Sequence, residues 1–517
     1  MTTTSWIILS AIVLYMILML AIGFAVTDRN KTSGDFYLGG RSLGPLVTAM
    51  SAEASDMSGW LLMGLPAVAM MLGISEASWT AIGLAIGTYL NWLFVAKRIR
   101  LYSSRIDAFT IPDFFARRFG DKSRVLTTIS ALMIVIFFIP YTASGFAACG
   151  KLFSTLFGMD YMLAMVLSAA VIIIYCTLGG FLAASTTDFV QSIIMTIALF
   201  VVIGFGEGLS GGFTHIFDNA HALPGYLNLF GSYDVVGGSS GDFGCLKVLS
   251  TLAWGLGYFG MPHILLRFMA IEDPNKLKTS RRVASVWVFI SMGVAVLIGV
   301  IGYTLMKSGV LPAYENASAA ETIIVDISKV LSRYGFIPAF VAGIILAGIL
   351  ASTMSTADSQ LLAAASGISQ NLLQESCKVK MTAKQSILLA RISVVVISII
   401  AVFLARNPNS SVFTIVSFAW AGFGAAFGPV VLCALFWKRT NKQGAIAGMI
   451  VGGVMVFVWK YLIREGIGKG TALDIYELLP AFLLGLITVV VVSLLTRAPE
   501  KEITDTFDAV KAELKKG

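Results

Sequence analysis

Ser51-Ala-Glu-Ala-Ser-Asp-Met-Ser-Gly-Trp60 places two carboxylates and three hydroxyls inside an otherwise apolar run, residues 45–71. As a helix that run would rise roughly 40 Å, more than the ~30 Å hydrocarbon core of a bilayer, so Asp56 to Gly59 fall near the midplane. An aspartate at that depth costs about 2.5 to 3.5 kcal/mol on insertion scales, so it should face a bundle interior or a wet cavity and have a functional use. The stretch also weakens its own helix. Ser51, Ser55 and Ser58 compete for backbone hydrogen bonds, and Gly59 adds about 1 kcal/mol of helix penalty relative to alanine. The run reads as a helix broken at the midplane, with freed carbonyls beside a carboxylate. Hard cations such as sodium are held by oxygen cages of that kind, and discontinuous helices are where secondary transporters build them.

Composition sets the class in which that stretch sits. Hydrophobic residues make up 57% of the 517 and charged residues 13%, with a mean hydropathy of +0.84, which describes a polytopic, all-α membrane protein in a lipid bilayer. Thirteen spans can be drawn, centred near Ile12, Ser58, Ile86, Ile136, Ala169, Ala198, Gly257, Ala295, Leu346, Val396, Gly424, Val454 and Ile487. The first lacks a basic leading region and a small-residue cleavage site, so it reads as a retained span and not a signal peptide. With Met1 outside, most Lys and Arg fall in inner loops and the tail, densest in residues 97–124, which predicts an outer N-terminus and a cytoplasmic C-terminus. The net charge of +8 is then topogenic and calls for no nucleic-acid partner. Five scattered cysteines have no metal or redox spacing, and nothing resembles a nucleophile–base pair, so no enzyme chemistry is indicated.

Other polar residues inside apolar segments carry two readings each. The loop around Arg41 is either a functional element feeding the broken second span or a turn with one topogenic base. Ile111-Pro-Asp-Phe-Phe-Ala-Arg-Arg-Phe119 reads as a short amphipathic helix on the inner surface, its basic residues on the wet face. Tyr141 follows Pro140, which should locally open the fourth span; the tyrosine is either packing or part of a cavity. Asp188 is either a buried functional acid or a first-turn acid of the sixth helix. In the seventh span, Trp254-Gly-Leu-Gly-Tyr-Phe-Gly-Met-Pro-His263 is loaded with breakers, and Trp254 and Tyr258, four apart on one helical face, form an aromatic wall or pack on a neighbour. In the ninth, Ser352, Ser355, Thr356 and Ser359 lie on one stripe beside Asp358 and face a cation or a neighbouring helix. His215 and His221, in the long polar loop before the seventh span, are weak evidence for a metal site. The two broken spans, second and seventh, are five positions apart, the offset of two inverted five-helix repeats.

Leu38-Gly-Gly-Arg-Ser-Leu-Gly-Pro45, Ser55-Asp-Met-Ser-Gly-Trp60, Gly179-Gly-Phe-Leu-Ala183, Trp254-Gly-Leu-Gly-Tyr258, Pro262-His263, Met354-Ser-Thr356 and Ala419-Trp-Ala-Gly-Phe-Gly-Ala-Ala-Phe-Gly-Pro429 together resemble the sodium/solute symporter family, and within it the sodium/proline symporters. The resemblance implies a leucine-transporter-type core. Residues 1–44 would be a first helix and inner loop, 45–210 the first five-helix repeat, 211–246 an outer loop, 247–437 the second repeat, 438–496 two additional helices and 497–517 a cytoplasmic tail. It implies a co-transported sodium ion held by the carbonyls of Ala54, Met57 and Ser352 and the hydroxyls of Ser355 and Thr356, with Asp56 as the essential membrane acid. Ser58 would serve ion and solute, Asp188 a further cation site, and Arg41 would be the loop arginine. An L-proline pocket would be lined by Trp60, Tyr141, Trp254, Tyr258 and Pro262. Met261, Glu53, Pro140 and Asp358 depart from the pattern. Met261 leaves room for another small organic solute, and Glu53 or Asp358 for proton coupling. A sensor on the same scaffold would need a soluble signalling domain, for which residues 497–517 are too short.

Overall fold

The computed structural model describes residues 2–27, 33–178, 180–377, 379 and 381–516; Met1 and Gly179, both named above, lie outside them. Among the described residues, ten helices are long and apolar enough to cross a bilayer, and a bent pair, Pro45–Asp56 with Trp60–Leu72, makes an eleventh. The remaining two of the thirteen expected spans take other forms. Tyr161–Ile174 is a shorter apolar helix, and residues 245–270 are three pieces: an α-helix Cys245–Leu252, a 3-10 stretch Ala253–Gly260 and an α-helix Pro262–Ala270.

The ninth span, Phe336–Ser366, is the axis of the bundle, with nearly every side chain from Ala342 onward buried. It packs against the first span (Thr3–Thr27), the fourth (Val125–Phe157), the sixth (Phe181–Leu209) and Pro45–Asp56. Large apolar side chains are exposed on peripheral helices, such as Phe403, Leu404 and Leu495. In a bilayer that surface meets hydrocarbon, so its exposure carries no hydrophobic penalty.

Both expected breaks are present, and each has a local cause. In the second span the Ser58 amide turns to the Asp56 carbonyl (2.9 Å) and the Leu61 amide to the Ser58 carbonyl (3.1 Å), so the carbonyls of Ala54 and Met57 lose the donors a continuous helix would give them. Met57 is non-helical (φ −81°, ψ 72°), and the two halves meet at 61°. In the seventh, the glycines serve close approach. A Cβ on Gly257 would overlap the Trp420 indole nitrogen, and one on Gly255 the Gly83 carbonyl.

Several local expectations are corrected. The fourth helix runs unbroken through Pro140, because one missing amide leaves the ladder on either side intact. Ile111–Arg118 is helical, capped by Thr110, but only Arg117 of its two arginines is on a wet face. Arg118 is buried: its Nε donates to the Ala434 carbonyl (2.8 Å), and its guanidinium lies over Tyr102 and Phe507. Phe507 belongs to a C-terminal helix, Lys501–Lys516, which is docked and not a bare tail. The 211–246 loop contains a helix, Phe213–His221, and an antiparallel hairpin pairing Gly231–Asp234 with Ser239–Asp242. His215 Nδ1 is 2.7 Å from the Ser210 carbonyl, and no cluster of His, Cys, Asp and Glu able to hold a metal occurs among the described residues.

Candidate functional site

The break in the second span presents different groups to different neighbours. On one side, Ser355 Oγ of the ninth span donates to the freed Ala54 carbonyl (2.8 Å) and approaches the Ser352 carbonyl (3.2 Å). Thr356 Oγ1 donates to that same Ser352 carbonyl (3.1 Å). Four of the five oxygens expected around a cation are therefore linked in a chain, Ala54 O to Ser355 Oγ to Ser352 O to Thr356 Oγ1, and Met57 stands at the break. Ser352 Oγ instead bonds back to Ile349 within its own helix (2.8 Å).

On the other side, the Asp56 carboxyl is turned to the seventh span, where Tyr258 donates to its Oδ2 (2.6 Å) and Oδ1 is buried without a hydrogen bond. The Asp56 carbonyl accepts from the Tyr141 hydroxyl (3.1 Å), the Trp60 indole (3.3 Å) and the Ser58 amide. Tyr141 thus bonds to the broken helix and is not mere packing. Ser58 Oγ is buried and has no well-formed hydrogen bond.

Trp254 and Tyr258 do not share a face as an α-helical reading requires. At three residues per turn, positions four apart diverge by about 120°. Tyr258 meets Asp56 and the Trp420 ring edge-on (5.1 Å), while Trp254 meets Trp60 (6.0 Å), Phe413 (5.3 Å) and Tyr476 (5.2 Å). Trp420, unnoticed in the sequence beyond its motif, donates to the Trp254 carbonyl (2.7 Å) and holds the two turns together. Pro262 is buried at the start of its helix, one residue after extended Met261. On the face that carries the 211–246 loop, a vestibule of about 700 Å³ ends on Trp254, Phe413 and Tyr476, with Lys247, Lys460 and Arg464 in its walls.

A family model described as the sodium:solute symporter family matches residues 36–452. The chain belongs to that family. It is 42% identical over 506 residues to the osmoregulated proline transporter OpuE of Bacillus subtilis (strain 168), covering 97% of this chain and 98% of that protein. It is 41% identical over 502 residues to the sodium/proline symporter of Escherichia coli (strain K12), covering 95% and 94%. Its fold is that of a Na+-coupled sialic acid symporter solved in a substrate-bound outward-open state, with a TM-score of 0.77 at 18% identity over 96% of this chain and 99% of that one. The symporter is a multi-pass membrane transporter and not an enzyme, built on the leucine-transporter-type core of two inverted five-helix repeats.

The remaining candidate residues fall into separate groups. Glu53, one turn before Asp56, accepts from Trp92 Nε1 (2.8 Å) and Thr88 Oγ1 (3.0 Å), which tie it to the third span. Asp188 is no first-turn acid: its helix starts at Phe181, and it is fully buried in an ion pair with Arg267 (3.0 Å) while accepting from Ser51 (2.7 Å). Arg267 also donates to Ser51, to Ser359 (2.5 Å) and to the His263 carbonyl, so one guanidinium joins the second, sixth, seventh and ninth spans. Asp358 Oδ1 accepts from Ser359, and its Oδ2, like Asp188 Oδ1, is buried without a hydrogen bond. In the sequence Arg267 reads as one more inner-loop charge; the signal that sets it apart is a base inside the apolar run 262–271. Arg41 is a clamp. It donates to the carbonyls of Met269 (2.7 Å), Ala108 (2.7 Å) and Ser103 (3.2 Å). Burial, with Arg100 nearby, lowers its pKa to about 10, so it stays charged at neutral pH.

Proposed function

We propose that the protein is a sodium-coupled symporter that imports L-proline by alternating access. The observation that carries this reading is the division of labour at the broken helix, where Ala54 turns to the hydroxyls of the ninth span and Asp56 to the aromatic turn of the seventh. Ala54, Met57, Ser352, Ser355 and Thr356 hold the ion. Asp56 and Ser58 link it to a solute pocket formed by Trp60, Tyr141, Trp254, Tyr258 and Pro262. Support for proline comes from the named activities of relatives about 40% identical over nearly the whole chain. The 211–246 loop and the vestibule face outward from the inner membrane, Met1 lies outside and the C-terminal helix in the cytoplasm. The repeats occupy residues 45–210 and 247–437.

Inward movement of one sodium ion is worth ~2.3 kcal/mol per 100 mV, and a tenfold sodium gradient adds about 1.4. Together they support a several-hundredfold accumulation of solute without hydrolysis of anything. A neighbouring reading, a different small organic solute, is favoured by Met261, which is fully buried at the break of the seventh span beside the pocket residues. Uptake of labelled proline into proteoliposomes, driven by a sodium gradient in one arm and a proton gradient in the other, tests both. Accumulation in the sodium arm alone is the expected result; uptake driven only by protons, or none of proline, would overturn the assignment.

A further inference from the structure

Tyr476 lies beyond residue 452, where the match to the family model ends, in the connection between the last two spans, yet it reaches Trp254 of the candidate site. Its ring stacks on Trp254 from the vestibule, with centroids 5.2 Å apart and planes 22° from parallel. Its hydroxyl donates to the Ser417 carbonyl of the eleventh span, Val412–Phe436 (2.6 Å), and its amide donates to Ser250 Oγ of Cys245–Leu252 (2.7 Å). One residue therefore bridges two elements that border the vestibule and presses on the tryptophan at its floor. It is 7% exposed.

The connection that carries Tyr476 is itself anchored. Glu477 is buried and paired with Arg464 (3.0 Å), with Lys460 Nζ 3.9 Å away, and Arg464 is also paired with Asp474 (3.1 Å). Glu477 is the buried end of this network, while Arg464 and Asp474 are each more than a third exposed. Tyr476 thus sits on a fixed support, and the parts it holds, Trp254 and the start of the eleventh span with Phe413, are those a solute has to pass.

We propose that Tyr476 is a positioning residue for solute retention, an outer cover that holds Trp254 against Trp60 and is displaced each time the pocket opens outward. It acts on the solute through Trp254, and the bond from its hydroxyl to Ser417 sets how readily the cover lifts. The inference rests on the symport reading for the identity of the solute but not for the motion of the cover, and two measurements keep these apart.

In the first, the full-length protein in nanodiscs is loaded with labelled proline at saturating sodium and chased. Tyr476→Phe keeps the ring and loses the hydroxyl, and should release proline roughly fivefold faster, the size of one lost hydrogen bond. Tyr476→Ala should release it more than tenfold faster. In transport, KM should rise with kcat unchanged or raised. In the second, without solute, Ser58→Cys is introduced into a chain whose native cysteines are replaced by serine, and the new thiol is modified by a small thiol reagent from outside; adding Tyr476→Phe should speed the reaction. Failure of the unmodified protein to bind proline overturns the solute assignment alone. An unchanged rate of thiol modification in the Phe variant overturns the cover whatever the solute and whether or not the Ala variant folds, as does a lower kcat at unchanged KM.

Discussion

The Tyr258 hydroxyl donates to Asp56 Oδ2 at 2.6 Å, from a residue that follows it by more than two hundred positions to the carboxyl at the break of the second span. The bond ties the two discontinuous segments together, and with them the proposed ion and solute sites. Asp56→Asn should abolish uptake, because the neutral amide cannot balance a cation. Asp56→Glu should retain some. Tyr258→Phe keeps the ring against Trp420 and removes one hydrogen bond, worth about 0.5 to 1.5 kcal/mol, so it should weaken apparent solute affinity roughly 2- to 12-fold with abundance maintained. Wild-type sodium dependence in a folded Asn variant, read as uptake against sodium concentration, would sink the assignment of Asp56.

Asp188 and Arg267 form a pair that is almost fully buried, so removing one partner leaves an uncompensated charge, at a cost of about 3 to 5 kcal/mol. Asp188→Ala and Arg267→Ala should each lower thermal stability and abundance strongly. The double variant should be less affected than the sum of the two, as double-mutant cycles measure it. Additive losses in a thermal-unfolding assay would show that the two charges do not depend on each other.

The break in the second span was legible because its cause is local: serines, a glycine and an aspartate inside an apolar run are unfavourable wherever the chain places them. The ninth-span hydroxyls stand out in the sequence for the same reason, and their assignment to an ion is a proposal. What the sequence did not show depends on partners. Gly255 and Gly257 read as helix breakers, but their use is set by Gly83 and Trp420, far away in sequence. Asp188 resembles a first-turn acid until Arg267 is placed opposite it. Tyr476 carries no sequence signal at all, since a lone tyrosine in a connection gains meaning only from the tryptophan beneath it.

The same dependence makes Gly257→Ala a sharp test of packing. A methyl group there would overlap the Trp420 indole, and the neighbouring backbone is too tightly packed to yield. The variant should lose abundance in the membrane. Gly44, whose Cβ would meet nothing within 4 Å, should tolerate alanine. Immunoblots of membranes from both variants provide the comparison, and equal abundance would contradict the close approach.

At the C-terminus, the docked helix Lys501–Lys516 is held by Phe507 and Val510, both buried, and by the ion pairs Arg105–Glu513 and Lys438–Asp508, whose side chains are all more than two-fifths exposed. Exposed pairs contribute about 0 to 1 kcal/mol, whereas burying a phenylalanine contributes about 1.5 to 3. Phe507→Ala should therefore release the helix and speed proteolytic trimming of the C-terminus, while Glu513→Gln with Asp508→Asn should trim like wild type. The reverse order would make charge the dominant anchor.

Coupling between ion and solute gives the most searching test of the proposed sodium site. Ser355 and Thr356 are on a different helix from the pocket aromatics, and Ser355 donates to the Ala54 carbonyl of the broken helix. Because linkage is reciprocal, sodium should raise solute affinity by the factor by which solute raises sodium affinity, typically about 5- to 150-fold for couplings of about 1 to 3 kcal/mol. Ser355→Ala with Thr356→Ala removes both hydroxyl ligands and leaves the aromatic contacts in place. The double variant should bind proline at saturating sodium no better than the unmodified protein does without sodium. The double variant loses the Ser355 bond to Ala54 and the Thr356 bond to Ser352, each worth roughly 0.5 to 1.5 kcal/mol, too little to abolish folding of a chain with this much buried surface. Equilibrium binding of labelled proline across a sodium titration in nanodiscs measures the effect. A double variant that kept the full sodium-induced gain would show that the ninth span does not hold the ion, and that the oxygens gathered around Ala54 serve only to pack two helices.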